Sequence, residues 1–290
     1  MFNNSFLKKN LNNFLKIYKN RPIKNNQSGM KIDHCFALFC LLKKIKPSHI
    51  IESGVWRGQT TWLIKKILKN SKIYSIDIDL SNREVIFDDV NYLNKDITKY
   101  NWKKLDKNKT LIIFDDHVCF SKRLNFLRKN KFKHIIFDDN LPNHHISYYT
   151  PKMIYEKQDL IKKEFIKYSN IFRVIKFVIR YFKSEFKDNI KLNFNSKFIK
   201  ITYPKMINKK LKRNFLLLRK KIKIYYEFPP IIKFNYKKRF EKIINNFDEG
   251  MSNTYKVQKP IFNNNEIKLS KELTKELNVQ YSNICYIKLN

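Results

Sequence analysis

The chain has 290 residues, 43% of them hydrophobic, with 61 Lys and Arg against 25 Asp and Glu and a formal charge of +36. That is enough apolar material for one large domain or a domain with a cap, while the longest unbroken apolar run, Cys35 to Leu42, is too short to span a bilayer. Four scattered cysteines without a C-x-x-C pair exclude a disulfide framework and a zinc site, and the opening residues lack a secretory pattern, so a cytoplasmic setting is expected.

So large a positive charge ordinarily points to a polyanionic partner. Here Lys far outnumbers Arg, Asn, Ile, Phe and Tyr are abundant, and only four residues are Gly. AT-rich codons produce that set, and the basic residues are spread along the whole chain. Codon bias is therefore read as the main source of the charge. In so Gly-poor a chain, finding Gly54 and Gly58 within five residues marks a backbone that excludes side chains.

Residues 1–29 read as a basic N-terminal extension. Asp33 to Lys44 predicts a helix, broken by Pro47. An alternation then begins: strand His49–Glu52, turn Gly54–Gly58, helix Thr60–Lys69, strand Lys72–Ile76, a helical segment Arg83–Asp89 and a short strand at Tyr92–Leu93. Strand Thr110–Phe114, helix Ser121–Lys129 and strand His134–Phe137 complete it. Residues 30–150 thus predict an α/β core, a mostly parallel Rossmann-like sheet with helices on both faces. Residues 151–250 read as a helical, basic insertion or cap, with helices over Met153–Phe186 and Asn208–Tyr226 and a turn at Phe228-Pro229-Pro230-Ile231. Within it, Asn170 to Phe182 mixes Arg and Lys with large apolar residues. Such stretches can lie on an anionic membrane but more often pack against a sheet, and packing is expected. Residues 251–290 return a final strand, Tyr281–Leu289, to the sheet.

The run His49-Ile-Ile-Glu52-Ser-Gly54-Val-Trp-Arg-Gly58-Gln-Thr60 is a strand ending in an acid, a Gly-x-x-x-Gly turn and a helix, an arrangement that brings backbone N–H groups under a nucleotide-like ligand. The second strand ends in Asp77, where an acid can accept hydrogen bonds from ribose hydroxyls. Trp56, in the middle of the turn, departs from the G-x-G-x-x-G of dinucleotide sites. Glu52, Gly54, Gly58 and Thr60 resemble the first motif, E-x-G-x-x-x-G-x-S/T, of class I S-adenosylmethionine methyltransferases of the catechol and caffeoyl-CoA type. The resemblance covers roughly residues 30–140. It implies Glu52 near the methionine moiety, Asp77 on the ribose and Asp96 near the adenine, with Asp115 completing the cofactor edge.

Two strands end in paired carboxylates, Asp115-Asp116-His117 and Asp138-Asp139-Asn140. In a parallel sheet both ends share the edge of the Gly54 turn, and four converging carboxylates call for a cation or protons. The pattern resembles metal-dependent O-methyltransferases acting on sugars. That resemblance implies Mg²⁺ held by Asp115, Asp138 and Asp139, or one residue later by Asp116, Asp139 and Asn140. It also implies a general base at His117, an imidazole suited to taking a hydroxyl proton, with Asp116 as the next candidate. His144 and His145 follow in a loop a substrate could pass.

The expected function is S-adenosylmethionine-dependent O-methylation of a small molecule or glycan precursor, with Mg²⁺ as a second cofactor. The alternatives are an RNA-directed methyltransferase, with nucleic acid as a less favoured partner, a glycosyltransferase using Asp77 and Asp79 as a D-x-D pair, and a binding protein on the same fold.

Overall fold

The computed structural model describes residues 2–141, 149–156, 161–167, 172, 173, 175, 176, 179, 191–194, 198–204, 209–232, 260–263, 266, 267, 269–279 and 284–290. In chain order these form α1 (Asn4–Tyr18), α2 (Ile32–Ile45), β1 (His49–Ser53), α3 (Gln59–Ile67), β2 (Lys72–Ile76), β3 (Asn91–Leu93), β4 (Thr110–Phe114), α4 (Phe120–Asn130) and β5 (His134–Phe137). There follow α5 (Pro151–Tyr155), β6 (Ile161–Lys167), β7 (Lys191–Phe194), β8 (Phe198–Pro204), a helix Lys209–Lys221, β9 (Ile222–Glu227), a helix Lys271–Val279 and β10 (Cys285–Leu289). The chain divides into a larger unit, Met1–Asn140 with Lys220–Asn290, and an insert, Leu141–Arg219.

The larger unit is built on a seven-stranded sheet in the order β3-β2-β1-β4-β5-β10-β9. Its first five strands are mutually parallel, and β10 runs antiparallel to both β5 and β9. The short Ile-rich strands bury both faces, as a parallel sheet under two helix layers requires. Alternation assigns the layers. Ile50, Ile73, Leu111, Ile113 and Ile136 join the core cluster of α1, α2 and α3. Phe114 and Phe137, of opposite parity, meet Phe126 and Phe120 of α4 edge to face. The expected doubly covered sheet is therefore present. The chain builds outward from β1 to β3, then returns to β4 on the other side of β1. That reversal opens a crevice beyond the carboxyl ends of β1 and β4.

Several expectations are corrected. Within the basic extension of residues 1–29, α1 buries Leu7, Leu11, Phe14 and Tyr18 in the core. Arg83–Asp89 holds no helix, because the N–H groups of Glu84 and Val85 bond instead to the Arg57 carbonyl. The helical insertion is not what forms: where one long helix was expected from Met153, α5 is short and Ile161–Lys167 is a strand. The insert contains a three-stranded antiparallel sheet, β6-β8-β7. The helix expected over Asn208–Tyr226 gives way at Ile222 to β9, whose Ile-Lys-Ile-Tyr-Tyr-Glu sequence favours a pleated strand. Phe172, Ile175 and Ile179 are exposed, contrary to the packing expected of that segment. His144 and His145 lie outside the described residues. Among the described residues no helix is long and apolar enough to cross a membrane.

Candidate active site

A cleft of about 320 Å³ opens at the crevice, and Gly54, Asp77, Asp96, Asp115, Asp116 and His117 all line it. Its nearer wall is the turn after β1. Both turn glycines have positive φ, +99° at Gly54 and +88° at Gly58, a region that penalises any Cβ. A Cβ on Gly54 would overlap the Asp115 carbonyl oxygen, and one on Gly58 would stand 2.5 Å from the Val85 carbonyl oxygen. These glycines thus serve close packing against neighbouring backbone, and Gly58 is absent from the cleft wall. Asp77 clamps the turn: its Oδ2 accepts from the Val55 and Trp56 N–H groups at 2.9 and 3.2 Å, and its Oδ1 from the Asp79 N–H at 3.2 Å. Trp56, itself at φ +49°, lines the cleft and donates its indole N–H to the Gln27 carbonyl.

Glu52 and Thr60 do not reach the cleft. Glu52 shares the parity of Ile50 and points beneath the turn, fully buried, where its Oε2 accepts from Thr61 Oγ1 and Ser75 Oγ, each at 2.6 Å. Its Oε1 has no hydrogen-bond partner. Burial raises its carboxyl to about 7, against the two hydroxyl bonds that lower it. Thr61, and not Thr60, is the helix residue that meets this acid.

The farther wall carries the strand-end acids. Asp116 accepts from Ser53 Oγ at 2.5 Å and pairs with Arg123 Nη2 at 2.7 Å. Arg123, from α4, also reaches Asp96 at 2.9 Å. Burial favours protonating Asp96, yet its bonds from Thr98 and Arg123 outweigh that and hold it below the usual range. Burial raises Asp116, with Arg123 and Ser53 opposing. Asp116 is thereby tied to a guanidinium and poorly suited to act as a base. His117, at φ +52°, turns Nδ1 to Asp139 Oδ2 at 2.6 Å while its side chain stays 66% exposed. That bond raises the imidazole above its ordinary value. Asp138 pairs at 2.5 Å with Nδ1 of His34, a buried residue of α2. Asp115 is raised well above the carboxylate range by burial, by the charges of Asp138 and Asp139, and by its hydrogen bond to Asp138.

The four carboxylates that sequence placed on one edge are thus together, and His34, His117 and Arg123 stand against them. Among the described residues no three His, Cys, Asp or Glu converge on a point a metal ion could occupy. The donor set expected for Mg²⁺ does not fit, since Asp138 and Asp139 each face a histidine at 2.5 and 2.6 Å. Sequence reading missed His34, which is concealed in the apolar run of α2, and Arg123. Arginine is rare in this Lys-rich chain, and Arg21, Arg57 and Arg123 each hold acids with a guanidinium fork. That scarcity was the available signal.

No protein-family model matches the sequence, and no curated protein does. Among solved structures, the chain is similar to the O-methyltransferase from Bacillus cereus in complex with SAH, at 11% identity over 71% of this chain and 93% of that one, with a TM-score of 0.33. It is similar to the SAH-bound Podospora anserina methyltransferase PaMTH1, at 11% identity over 70% and 93%, TM-score 0.34. It is also similar to a Mg-SAM form of CmcI, at 15% identity over 59% and 72%, TM-score 0.33. At these values function has to follow from the chain's own residues.

Proposed function

We propose that this chain is an S-adenosylmethionine-dependent methyltransferase acting on a hydroxyl of a small molecule or glycan precursor. The observation that carries the reading is one cleft at the sheet's reversal point, with an acid-clamped glycine turn on one wall and a histidine–carboxylate pair on the other. The antiparallel β10 occupies the sixth place in the sheet, unlike the all-parallel dinucleotide order. S-adenosylmethionine, when bound, supplies an electrophilic methyl group on a sulfonium.

The residues present fit that group. A carboxylate has about four acceptor sites, and Asp77 gives two to the Gly54 turn and one to the Asp79 N–H, leaving capacity for a ribose hydroxyl. Ile78 and Val118 offer apolar surface to a base, and ionised Asp96 stands beside them. Glu52, Gly58 and Thr60 lie outside the cleft lining, where Glu52 and Gly58 pack against the backbone and hydroxyls around the turn. His117 is the general base: Asp139 holds Nδ1–H, which orients the ring and leaves Nε2 to take the acceptor's proton. Asp79 spends Oδ1 on the Ser81 N–H at 2.9 Å and Oδ2 on Asn82 at 3.2 Å, so the pair with Asp77 makes a poor nucleotide-sugar site.

Calorimetry tests the cofactor. S-adenosylhomocysteine should bind, and Asp77→Ala should cost about 2–3 kcal/mol of that affinity through lost charge-assisted bonds. Unchanged affinity would remove the site. His117→Ala should retain the cofactor and slow transfer by about 10²–10⁴. Preference for a nucleoside diphosphate sugar would favour the glycosyltransferase reading, and tight RNA binding lost steeply in salt would favour RNA.

A further inference from the structure

The insert is the most basic part of the molecule, with 19 Lys and Arg against five Asp and Glu between Leu141 and Arg219. It also carries exposed apolar side chains: Phe172 is 86% exposed, Ile175 51% and Ile179 52%. Each of these residues is helical, and the three-and-four spacing of positions 172, 175 and 179 is that of one helix face. Lys176, also helical and exposed, lies four residues after Phe172. The sequence from 170 to 183 contains Arg173, Lys176, Arg180 and Lys183 and no acidic residue. On the helix Lys209–Lys221, Leu216 and Leu217 are likewise exposed among Lys212, Arg213 and Lys220.

We propose that the insert docks on an anionic lipid surface through the Phe172–Ile175–Ile179 stripe. Apolar side chains flanked by lysines suit the headgroup boundary: the rings and aliphatic chains enter the acyl region while the amines remain with the phosphates. Two other occupants fit less well. A nucleic acid would use the charge, but Ile175 and Ile179 offer nothing to a phosphate backbone and cannot stack on bases. A second copy would bring like charge against like charge. The inference does not depend on the cofactor assignment.

The full chain should co-sediment with vesicles of phosphatidylcholine and phosphatidylglycerol in equal parts, and not with phosphatidylcholine alone. Binding should weaken as salt rises. Phe172→Ser/Ile175→Ser/Ile179→Ser, all at exposed positions, should reduce vesicle affinity more than about tenfold with S-adenosylhomocysteine affinity and melting temperature unchanged. Lys176→Glu should weaken vesicle binding in the same direction. Vesicle binding equal in the triple variant and the parent would overturn the proposal. So would absence of vesicle binding with retention on an RNA homopolymer, or concentration-dependent dimerisation that the triple variant abolishes.

Discussion

Glu52 is a carboxylate placed where only its neutral form is comfortable. Its Oε2 takes two hydroxyl bonds while Oε1 takes none, and burial lifts the group to about 7 from a reference of 4.5. A raised native value means that the folded state binds the proton more tightly than the unfolded chain. The associated stability is complete below about pH 4.5 and is lost as pH rises through about 7. Glu52→Gln keeps the shape and an oxygen for Thr61 and Ser75 while removing the ionisation. The variant should match the parent in acid and exceed it above neutrality by up to about 3 kcal/mol, the free-energy equivalent of that shift. Melting temperatures across pH check this, and parallel curves for the two proteins would refute it. At the opposite wall, Asp139→Asn should slow methyl transfer by releasing the His117 ring, with cofactor affinity preserved. Equal weakening of both would mean that Asp139 only supports the fold.

At the scale of elements, the turn between β1 and α3 depends on glycine for reasons internal to the protein. Gly54 presses on the end of β4 and Gly58 on the segment around Val85, both at positive φ. Gly54→Ala should therefore cost at least about 1–3 kcal/mol of stability in the absence of any ligand, measurable as a lower melting temperature of the free protein. A variant that bound cofactor poorly yet melted like the parent would mean that Gly54 leaves room for the ligand instead. The parallel strands were legible because short, mostly apolar runs of four or five residues bounded by turns have few other ways to be buried. The acids that end them were legible for the same reason. Their partners were not, since His34 and Arg123 come from helices whose sequences show only an apolar or basic stripe. β6 was misread because its apolar Ile161, Phe165 and Ile166 fall at i, i+4 and i+5, a helical spacing. β9, up to Tyr226, was absorbed into a helix that charge and Leu content made continuous.

At the scale of the whole molecule, the larger unit is held together by residues far apart in sequence. Glu276, on the helix Lys271–Val279, receives the Tyr18 hydroxyl of α1, the Ile32 N–H that begins α2 at 2.9 Å, and Arg21 at 3.2 Å. The Arg21 side chain is only 2% exposed, and its second partner, Glu272 at 2.5 Å, lies largely in solvent. Removing Glu276 would leave a buried guanidinium with one exposed counter-charge and would strand a hydroxyl and a backbone donor. A buried pair broken on one side costs about 3–5 kcal/mol, so Glu276→Ala should lower the unfolding midpoint in urea strongly. The half-exposed pair of Lys8 and Glu266 at 3.3 Å provides the control, since Lys8→Ala should change stability by less than about 1 kcal/mol. If the two variants unfold alike, the C-terminal helix is attached by its apolar face alone, with Leu273 packed on the core cluster, and the Arg21 network is a consequence of that docking and not its cause.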